Sequence, residues 1–315
     1  MRAAVTGVAG FIGSTMAKKL LRDPQNEVLG IDTFTDYYDK RLKRQNLSEL
    51  PNDRFSFHEG DLNEIPLDQL LRDVDVIFHF AGQPGVRKSW GTDFSLYTRH
   101  NIDATQRLLE TAKSLKSLKA LIFASSSSIY GNAERYPTSE LDRAAPLSPY
   151  GVTKLAAENL CSLYAANFAA PTVSLRFFTV YGPRQRPDMA FNKFIQATLD
   201  GKELQVYGNG TQVREFTHVD DIVRACLLAA ETKLAPGVVI NLSGGSAVSV
   251  NDVIETIAKI HGKHPRVIYG TVSPGDVFRT GGDTTRAREL LGWEPSISLE
   301  EGLRGEYEWA ARNHG

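Results

Sequence analysis

Seven residues near the N-terminus constrain this chain more than any others. Gly7-Val8-Ala9-Gly10-Phe11-Ile12-Gly13 follows directly on the short strand candidate Arg2 to Thr6 and opens an amphipathic stretch, Phe11 to Leu21. A strand that turns into a helix through three glycines is built to cradle a dinucleotide. Glycine permits the tight turn, lets backbone N–H groups approach a pyrophosphate and allows the helix to pack closely on the strand, with its N-terminus facing the anion. Gly7, Gly10, Phe11, Ile12 and Gly13 are therefore candidate cofactor contacts. Glycine spacing alone is weak evidence, and Asp32 strengthens it. This acid ends the second strand candidate, Glu27 to Ile31, where a carboxylate can accept hydrogen bonds from an adenosine ribose. It also disfavours the extra phosphate of NADP, so the expected cofactor is NAD.

Further strand candidates at Phe55 to Glu59, Val74 to Phe80, Ala120 to Ala124 and Thr172 to Phe177 alternate with helix candidates at Asp93 to Ser114 and Pro149 to Asn167. Alternation of this kind predicts an α/β fold with a Rossmann-type doubly wound parallel sheet. Asp61 and Leu62, just after the third strand, fall beside the adenine in such a fold, and Ala81 and Gly82, after the fourth, beside the pyrophosphate and ribose. Read alone, Asp61 fits a helix N-cap equally well, and Ala81-Gly82 a plain strand-end turn. After Tyr181 the polar, proline-bounded loop Gly182 to Pro187 marks a change of texture, with shorter and more widely spaced strands. Residues 1–180 are expected to form the NAD-binding part and 181–315 mainly a smaller α/β substrate lobe, some later segments returning to the first. Helix candidates there are Asn192 to Leu199, Asp220 to Glu231, Asn251 to His261 and Leu299 to Arg312, the last opened by Ser298 and Glu301 in capping-box spacing.

Charge excludes some partners. The chain carries 36 Lys and Arg against 37 Asp and Glu, so no global field draws it onto nucleic acid or an anionic membrane. Any anionic ligand must then be met by local groups. Two cysteines, Cys161 and Cys226, provide neither a disulfide framework nor a four-ligand zinc site, and no metal is expected. Early glycines leave no room for a secretory apolar segment, and no apolar run approaches the ~20 residues that span a bilayer. A soluble cytoplasmic protein is expected.

Ser148 and Pro149 read as a helix start, the hydroxyl capping free N–H groups and the proline pre-set at the first helical position. Tyr150 and Lys154, four residues apart, then share a face of that helix. Such a pair is usually only a packing or solvated one. Here the fifth strand ends in Ser125-Ser126-Ser127-Ser128, placing hydroxyls at the carboxyl end of a parallel strand, where ligands of these sheets bind. A nearby ammonium and a cationic nicotinamide both favour phenolate over phenol. Tyr150 can therefore serve as the base that takes a proton from a sugar hydroxyl, with Ser126 bonded to the same oxygen and Lys154 also holding the nicotinamide ribose. Ser125 reads more simply as a turn-capping hydroxyl.

With these residues in place the chain resembles the extended short-chain dehydrogenase/reductase family, whose nucleotide-sugar members carry the glycine turn, a Ser or Thr after the fifth strand and Tyr-x-x-x-Lys. Arg176-Phe177-Phe178-Thr179-Val180-Tyr181-Gly182-Pro183 and Arg214-Glu215-Phe216-Thr217-His218-Val219-Asp220-Asp221 are similar to motifs of the same members. The resemblance implies a UDP-sugar substrate, with Arg214 on the diphosphate, Gln205 and Tyr207 flanking the uracil and Asp276 on the uridine ribose. Where the family more often has Arg, three positions before Asp276, this chain has Ser273.

Within the family, Asp36-Tyr37-Tyr38-Asp39, Gly85-Val86-Arg87, the serine tract ending in Ile129-Tyr130-Gly131, and Arg186-Pro187-Asp188-Met189-Ala190-Phe191 are most similar to UDP-glucuronate 4-epimerases. That similarity adds Arg87 to the substrate contacts and assigns Arg186 to a C6 carboxylate, with Ser127, Ser128 and Thr179 as hydrogen-bonding neighbours. Sugar 4,6-dehydratases need acids just after the catalytic Ser or Thr, and UDP-glucuronate decarboxylases tend to carry a Glu nearby. This chain has Ser127 and Ser128 there. The resemblance thus implies oxidation at C4 followed by reduction from the other face, with 4-epimerisation of UDP-glucose or decarboxylation as the rival outcomes. It also implies a homodimer built on the helices near Asp93 to Ser114 and Pro149 to Asn167.

Overall fold

The apolar runs that form the inner strands of the first half do so because a parallel sheet buries them on both faces, while Phe55–Glu59, at the sheet edge, stays largely exposed. The structure, a computed structural model, describes residues 1–51, 53–271 and 277–314. Twelve strands are described: β1 Arg2–Thr6, β2 Glu27–Asp32, β3 Phe55–Glu59, β4 Val76–His79, β5 Ala120–Ser126, β6 Thr172–Phe177, β7 Thr179–Tyr181, β8 Leu204–Tyr207, β9 Val213–His218, β10 Val238–Leu242, β11 Ala247–Ser249 and β12 Val267–Gly270. Seven of them make one sheet in the order β10-β6-β5-β4-β1-β2-β3, every pairing in it parallel. Strand order reverses between β1 and β4, which opens the crevice where such sheets bind ligands.

Helices cover both faces, so the expected doubly wound α/β fold is what forms. On one face, Met16, Ala17 and Leu20 of helix Phe11–Leu20 pack with Ile222, Val223 and Cys226 of helix Val219–Glu231, with Ala287 and Leu291 of helix Thr285–Leu291, and with Trp293. On the other, Leu108 and Leu109 of helix Ala104–Ala112 pack with Ala157 and Cys161 of helix Pro149–Phe168. Strand β10 and two of these helices come from beyond residue 181. A separate smaller core forms around Tyr181, Phe191, Phe194, Ile254, Ile257 and Leu303. It is enclosed by the sheets β11-β9-β7 and β12-β8 and by helices Ala190–Leu199, Val250–His261 and Leu299–Arg312.

The segment Asp93 to Ser114 departs from the regular helix expected of it. It runs as a 3₁₀ turn Gly91–Asp93, an α-helical turn Phe94–Tyr97, a π-helical stretch Thr98–Asp103 and α-helix Ala104–Ala112. Wide turns of this kind are rare and recur at functional sites. Strand β4 starts at Val76 rather than Val74, because the Val74 N–H is spent on Leu71 O at 3.1 Å. Strand β5 reaches Ser126, paired with Phe177 of β6. Helix Lys40–Ser48 buries only Lys43 and Asn46, so its sequence lacks the apolar stripe that announces a helix.

Candidate active site

The cofactor end is built by the glycine turn. Gly7 has φ +70°, and a Cβ there would lie 2.7 Å from Ala81 N; one at Gly13 would lie 2.2 Å from Gly7 O. Neither position admits a side chain. Helix Phe11–Leu20 has no side-chain cap at Gly10 and no acid in its first turn, so its positive end is left for an external anion. Asp32 stands across the turn, its Oδ2 accepting Ala9 N at 3.1 Å and its Oδ1 accepting Phe34 N at 3.0 Å, with Lys43 Nζ 3.6 Å from Oδ1. Phe11, Ile12, Leu62, Ala81 and Gly82 line the same cavity. Asp61 lines it too, but its Oδ2 accepts Arg99 Nε at 3.1 Å and Nη2 at 2.7 Å. Burial opposes its charge, yet the Asn63 N–H and Arg99 outweigh burial and hold this carboxyl below the usual range. A dinucleotide fits this cradle: two glycines a Cβ would fill, an open helix N-terminus and a buried acid across the turn.

The candidate catalytic residues stand on helix Pro149–Phe168 and at the end of β5. Ser148 Oγ accepts Gly151 N at 3.1 Å, and Pro149 begins the helix. Tyr150 and Lys154 both face the cavity from it, beside Ser126 at the end of β5. Burial raises the Tyr150 pKa, opposed by a hydrogen bond with Ser126 and by the Arg186 guanidinium. Burial pulls Lys154 down to about 8, opposed by Cys161 and Glu158, and its Nζ lies 4.4 Å from the Phe123 ring centroid. Phenol, hydroxyl and amine thus converge where a proton can be passed to or from a bound hydroxyl. Ser125 reaches the cavity wall but donates its hydroxyl to Glu158 at 2.6 Å.

The far end of the cavity, about 750 Å³ in volume, brings together Arg87, Ser127, Ser128, Thr179, Arg186 and Tyr207. Arg186 donates from Nε and Nη2 to Asp188, both at 2.9 Å, and Tyr37 donates to the same carboxylate at 3.3 Å. The Arg87 guanidinium stacks 3.9 Å from the Tyr207 ring centroid. Gln205 precedes Tyr207 by two residues on β8, but among the described residues only Tyr207 of the two lines the cavity. Arg214 lines an adjoining cavity of about 160 Å³ that shares Ser127, Ser128 and Thr179 with the first. Its guanidinium donates to the carbonyls of Val213 and Phe278, both at 2.9 Å, and of Val277. Asp276 and Ser273 lie outside the described residues.

Several cavity residues escape the sequence reading. The π-helical stretch turns His100 and Asn101 to the cavity, a consequence of one widened turn that no local periodicity announces. Lys43, Arg87, Lys88, Lys154, Arg186 and Lys193 line it against three acids, Asp32, Asp61 and Asp188. Among the described residues the cavity lining thus carries a surplus of positive charge, in a chain with none overall. Among the described residues, no group of three or more His, Cys, Asp or Glu side chains is placed to hold a metal ion, and no helix is long and apolar enough to cross a membrane.

Comparison with known proteins agrees with this geometry. A protein of Bacillus subtilis (strain 168) described as an uncharacterized UDP-glucose epimerase, YtcB, is 43% identical over 307 residues, covering 97% of this chain and 96% of that protein. A UDP-glucuronate 4-epimerase of Thermodesulfobacterium geofontis (strain OPF15) is 37% identical over 314 residues, covering 98% and 96%. The crystal structure of a UDP-glucuronic acid 4-epimerase from Bacillus cereus, in complex with UDP-glucuronic acid and NAD, superposes with a TM-score of 0.96 at 44% identity over 100% of both chains. The family model described as GDP-mannose 4,6 dehydratase matches residues 4–305. By this match and these relatives, the chain belongs to the GDP-mannose 4,6-dehydratase family of extended short-chain dehydrogenases/reductases.

Proposed function

We propose that this protein is a UDP-glucuronate 4-epimerase that uses NAD to interconvert UDP-glucuronate and UDP-galacturonate. One observation carries the substrate choice: the Arg186 guanidinium shares a cavity with Tyr150 and acts on its phenol, while Ser127 and Ser128 stand where a dehydratase needs acids. The 44% identity with the Bacillus cereus enzyme supports the same reading.

Gly7, Gly10, Gly13 and Asp32 would hold the dinucleotide, which, when bound, supplies a reversible two-electron acceptor for C4 of the sugar. Tyr150, as phenolate, removes the proton of the C4 hydroxyl and later returns it. Ser126 hydrogen-bonds the same oxygen, and the Lys154 ammonium favours the phenolate and holds the nicotinamide ribose. The 4-keto sugar then turns about its diphosphate linkage, held by Arg214, and offers its other face. Net redox is zero. A 4-keto uronate is a β-keto acid and can lose carbon dioxide. Arg186, Ser127, Ser128 and Thr179 would hold the carboxylate through charge-assisted hydrogen bonds, and retention of carbon dioxide is easier where they keep the scissile bond out of line with the carbonyl. Tyr207, with the Arg87 guanidinium stacked on its ring, would face the uracil. In this assignment residues 1–180 serve mainly NAD and 181–315 mainly the UDP-sugar.

A second reading, 4-epimerisation of UDP-glucose, draws on the bidentate Arg186–Asp188 pair, whose zero net charge also suits a neutral C6 hydroxymethyl. Incubating the protein with UDP-glucuronate and with UDP-glucose separately, and following the sugar protons by NMR, separates the two. UDP-galacturonate from the first with little change in the second supports the carboxylate assignment; faster turnover of UDP-glucose overturns it, and a pentose with carbon dioxide would mark a decarboxylase.

We further infer a homodimer. Val152 and Leu163, eleven residues apart on one face of helix Pro149–Phe168, are 47% and 54% exposed, and Phe94 and Leu96 stand exposed on the neighbouring helical segment. Two buried free thiols, Cys161 and Cys226, suit a reducing cytoplasm.

A further inference from the structure

Behind Tyr150 and Lys154 lies a buried polar network that the reaction as described does not use. Glu158 follows Lys154 by one helical turn on helix Pro149–Phe168 and is 3% exposed. Its Oε2 accepts Ser125 Oγ at 2.6 Å and Arg176 Nε at 3.0 Å, and its Oε1 accepts Arg176 Nη2 at 2.6 Å. Arg176, on β6, donates onward from Nη1 to Tyr130 Oη at 2.6 Å and to Glu140 O at 3.2 Å. Tyr130 Oη in turn donates to Asn241 Oδ1 on β10 at 2.7 Å. One carboxylate therefore ties the catalytic helix to β5 and β6, and through them to β10.

Such a pair is a poor source of stability, because desolvating both ions offsets their attraction and apolar side chains of similar volume often serve as well. What this pair does have is position. Ser125 is the residue before Ser126, and Lys154 and Glu158, four apart, share a helical face. Among the described residues, Cys161 and Glu158 oppose burial at the Lys154 amine, and the Arg176 guanidinium sits on Glu158. The Phe123 ring lies under the amine, and His79 on β4 is neutral, pulled down to about 3 by burial and by Lys154 itself. Cys161 is pushed up to about 12, so its sulfur is an uncharged thiol at neutral pH. Of the two groups that oppose the effect of burial on Lys154, Cys161 and Glu158, only Glu158 brings a full negative charge.

We propose that Glu158 is a positioning residue for the reaction: it fixes the end of β5 that presents Ser126, and it is the counter-charge that holds Lys154 as an ammonium beside Tyr150. Without that charge, a buried amine already drawn down to about 8 loses its proton closer to neutrality, and Tyr150 loses the cation that favours phenolate. The proposal rests on the acid–base reading of Tyr150 and Lys154 given above.

The test is the pH dependence of kcat for the full protein on UDP-glucuronate, read beside the phenolate absorbance that Tyr150→Phe removes. In Glu158→Gln the alkaline limb of kcat should fall by roughly one pH unit, a loss of about tenfold on the alkaline side, and the Tyr150 absorbance should emerge at higher pH. Glu158→Asp, which keeps the charge, should bring the limb back. Because Glu158→Gln strands a buried guanidinium and can cost the fold, the double variant Glu158→Gln/Arg176→Met removes both charges; since Glu158 and not Arg176 acts on Lys154, its limb should still lie lower. An unmoved limb in the double variant, or one that Glu158→Asp fails to bring back, overturns the proposal. Lys154→Met is the control: near-normal turnover there overturns the reading of the site itself, whereas lost turnover there with an unmoved limb in the double variant overturns only the role of Glu158.

Discussion

Asn101 Nδ2 donates to Thr153 Oγ1 over 2.9 Å, at the residue immediately before Lys154. The other end of the same amide accepts Gln83 N at 2.7 Å, so a side chain from the π-helical stretch clamps the loop after β4 to the catalytic helix. Asn101→Ala leaves the buried Gln83 N–H without that partner, at a cost of about 1–3 kcal/mol. It should also lower kcat on the order of 100-fold by displacing Lys154 and Tyr150. Thermal melts and steady-state kinetics check both, and an unchanged kcat would remove Asn101 from the alignment of the site.

Tyr150→Phe should leave NAD bound and reduce turnover by roughly 10²- to 10⁴-fold, the range for a lost general acid–base. The phenyl ring keeps its edge contact with Tyr97, whose ring centroid lies 6.3 Å away, so the site should not collapse. Cofactor content by absorbance and turnover by NMR are the two readings, and near-normal turnover would sink the assignment.

Arg186→Leu should weaken UDP-glucuronate by roughly tenfold or more for each charge-assisted hydrogen bond removed, and UDP-glucose far less. The variant also strands Asp188, whose carboxyl the guanidinium holds below its usual range against the opposing effect of burial. That penalty falls on both ligands alike, so the ratio of the two dissociation constants by calorimetry isolates the carboxylate contact. Equal losses would take Arg186 out of the C6 site.

Glu306 should make the fold sensitive to rising pH. It is 1% exposed, with Oε2 accepting Gly182 N at 2.8 Å and Oε1 without a partner among the described residues, and burial pushes its pKa well above 4.5. Above pH 4.5 the unfolded chain releases a proton that the folded one retains, so stability falls as pH rises from there toward the raised value. Glu306→Gln lacks this dependence. Its Tm should gain on the parent between pH 5 and 8, and a constant difference across that range would show that Glu306 is ionised in the fold.

The parallel sheet was legible because its signals are local. Arg2–Thr6, Phe55–Glu59 and Thr172–Phe177 have the bounds expected from the alternation of short strand-like and longer amphipathic stretches, and the turn at Gly7 to Gly13 announces both its geometry and its ligand. What sequence did not disclose depends on residues far apart in the chain. Asn101 reads as one polar residue in a helical pattern, and only the fold brings Thr153 to it. Glu158 and Arg176 are 18 residues apart on different elements, and Glu306 sits in a helix rich in charge, so neither carboxylate betrays its burial. Strands β7 and β11, three residues each, are too short to carry a period.

The place of β10 beside β6 limits how this protein can be divided or recombined. Because the polypeptide leaves the large sheet after β6 and comes back to add β10, with helix Val219–Glu231 and Trp293 closing the adjacent face, a fragment ending near residue 180 would carry a raw strand edge above an uncovered apolar floor. Such a fragment should aggregate rather than bind dinucleotide. A gene fusion that grafts a foreign sugar-recognition half onto this scaffold would have to splice at two seams, not one, and exchanging loops around the cavity mouth is the gentler route to a new substrate.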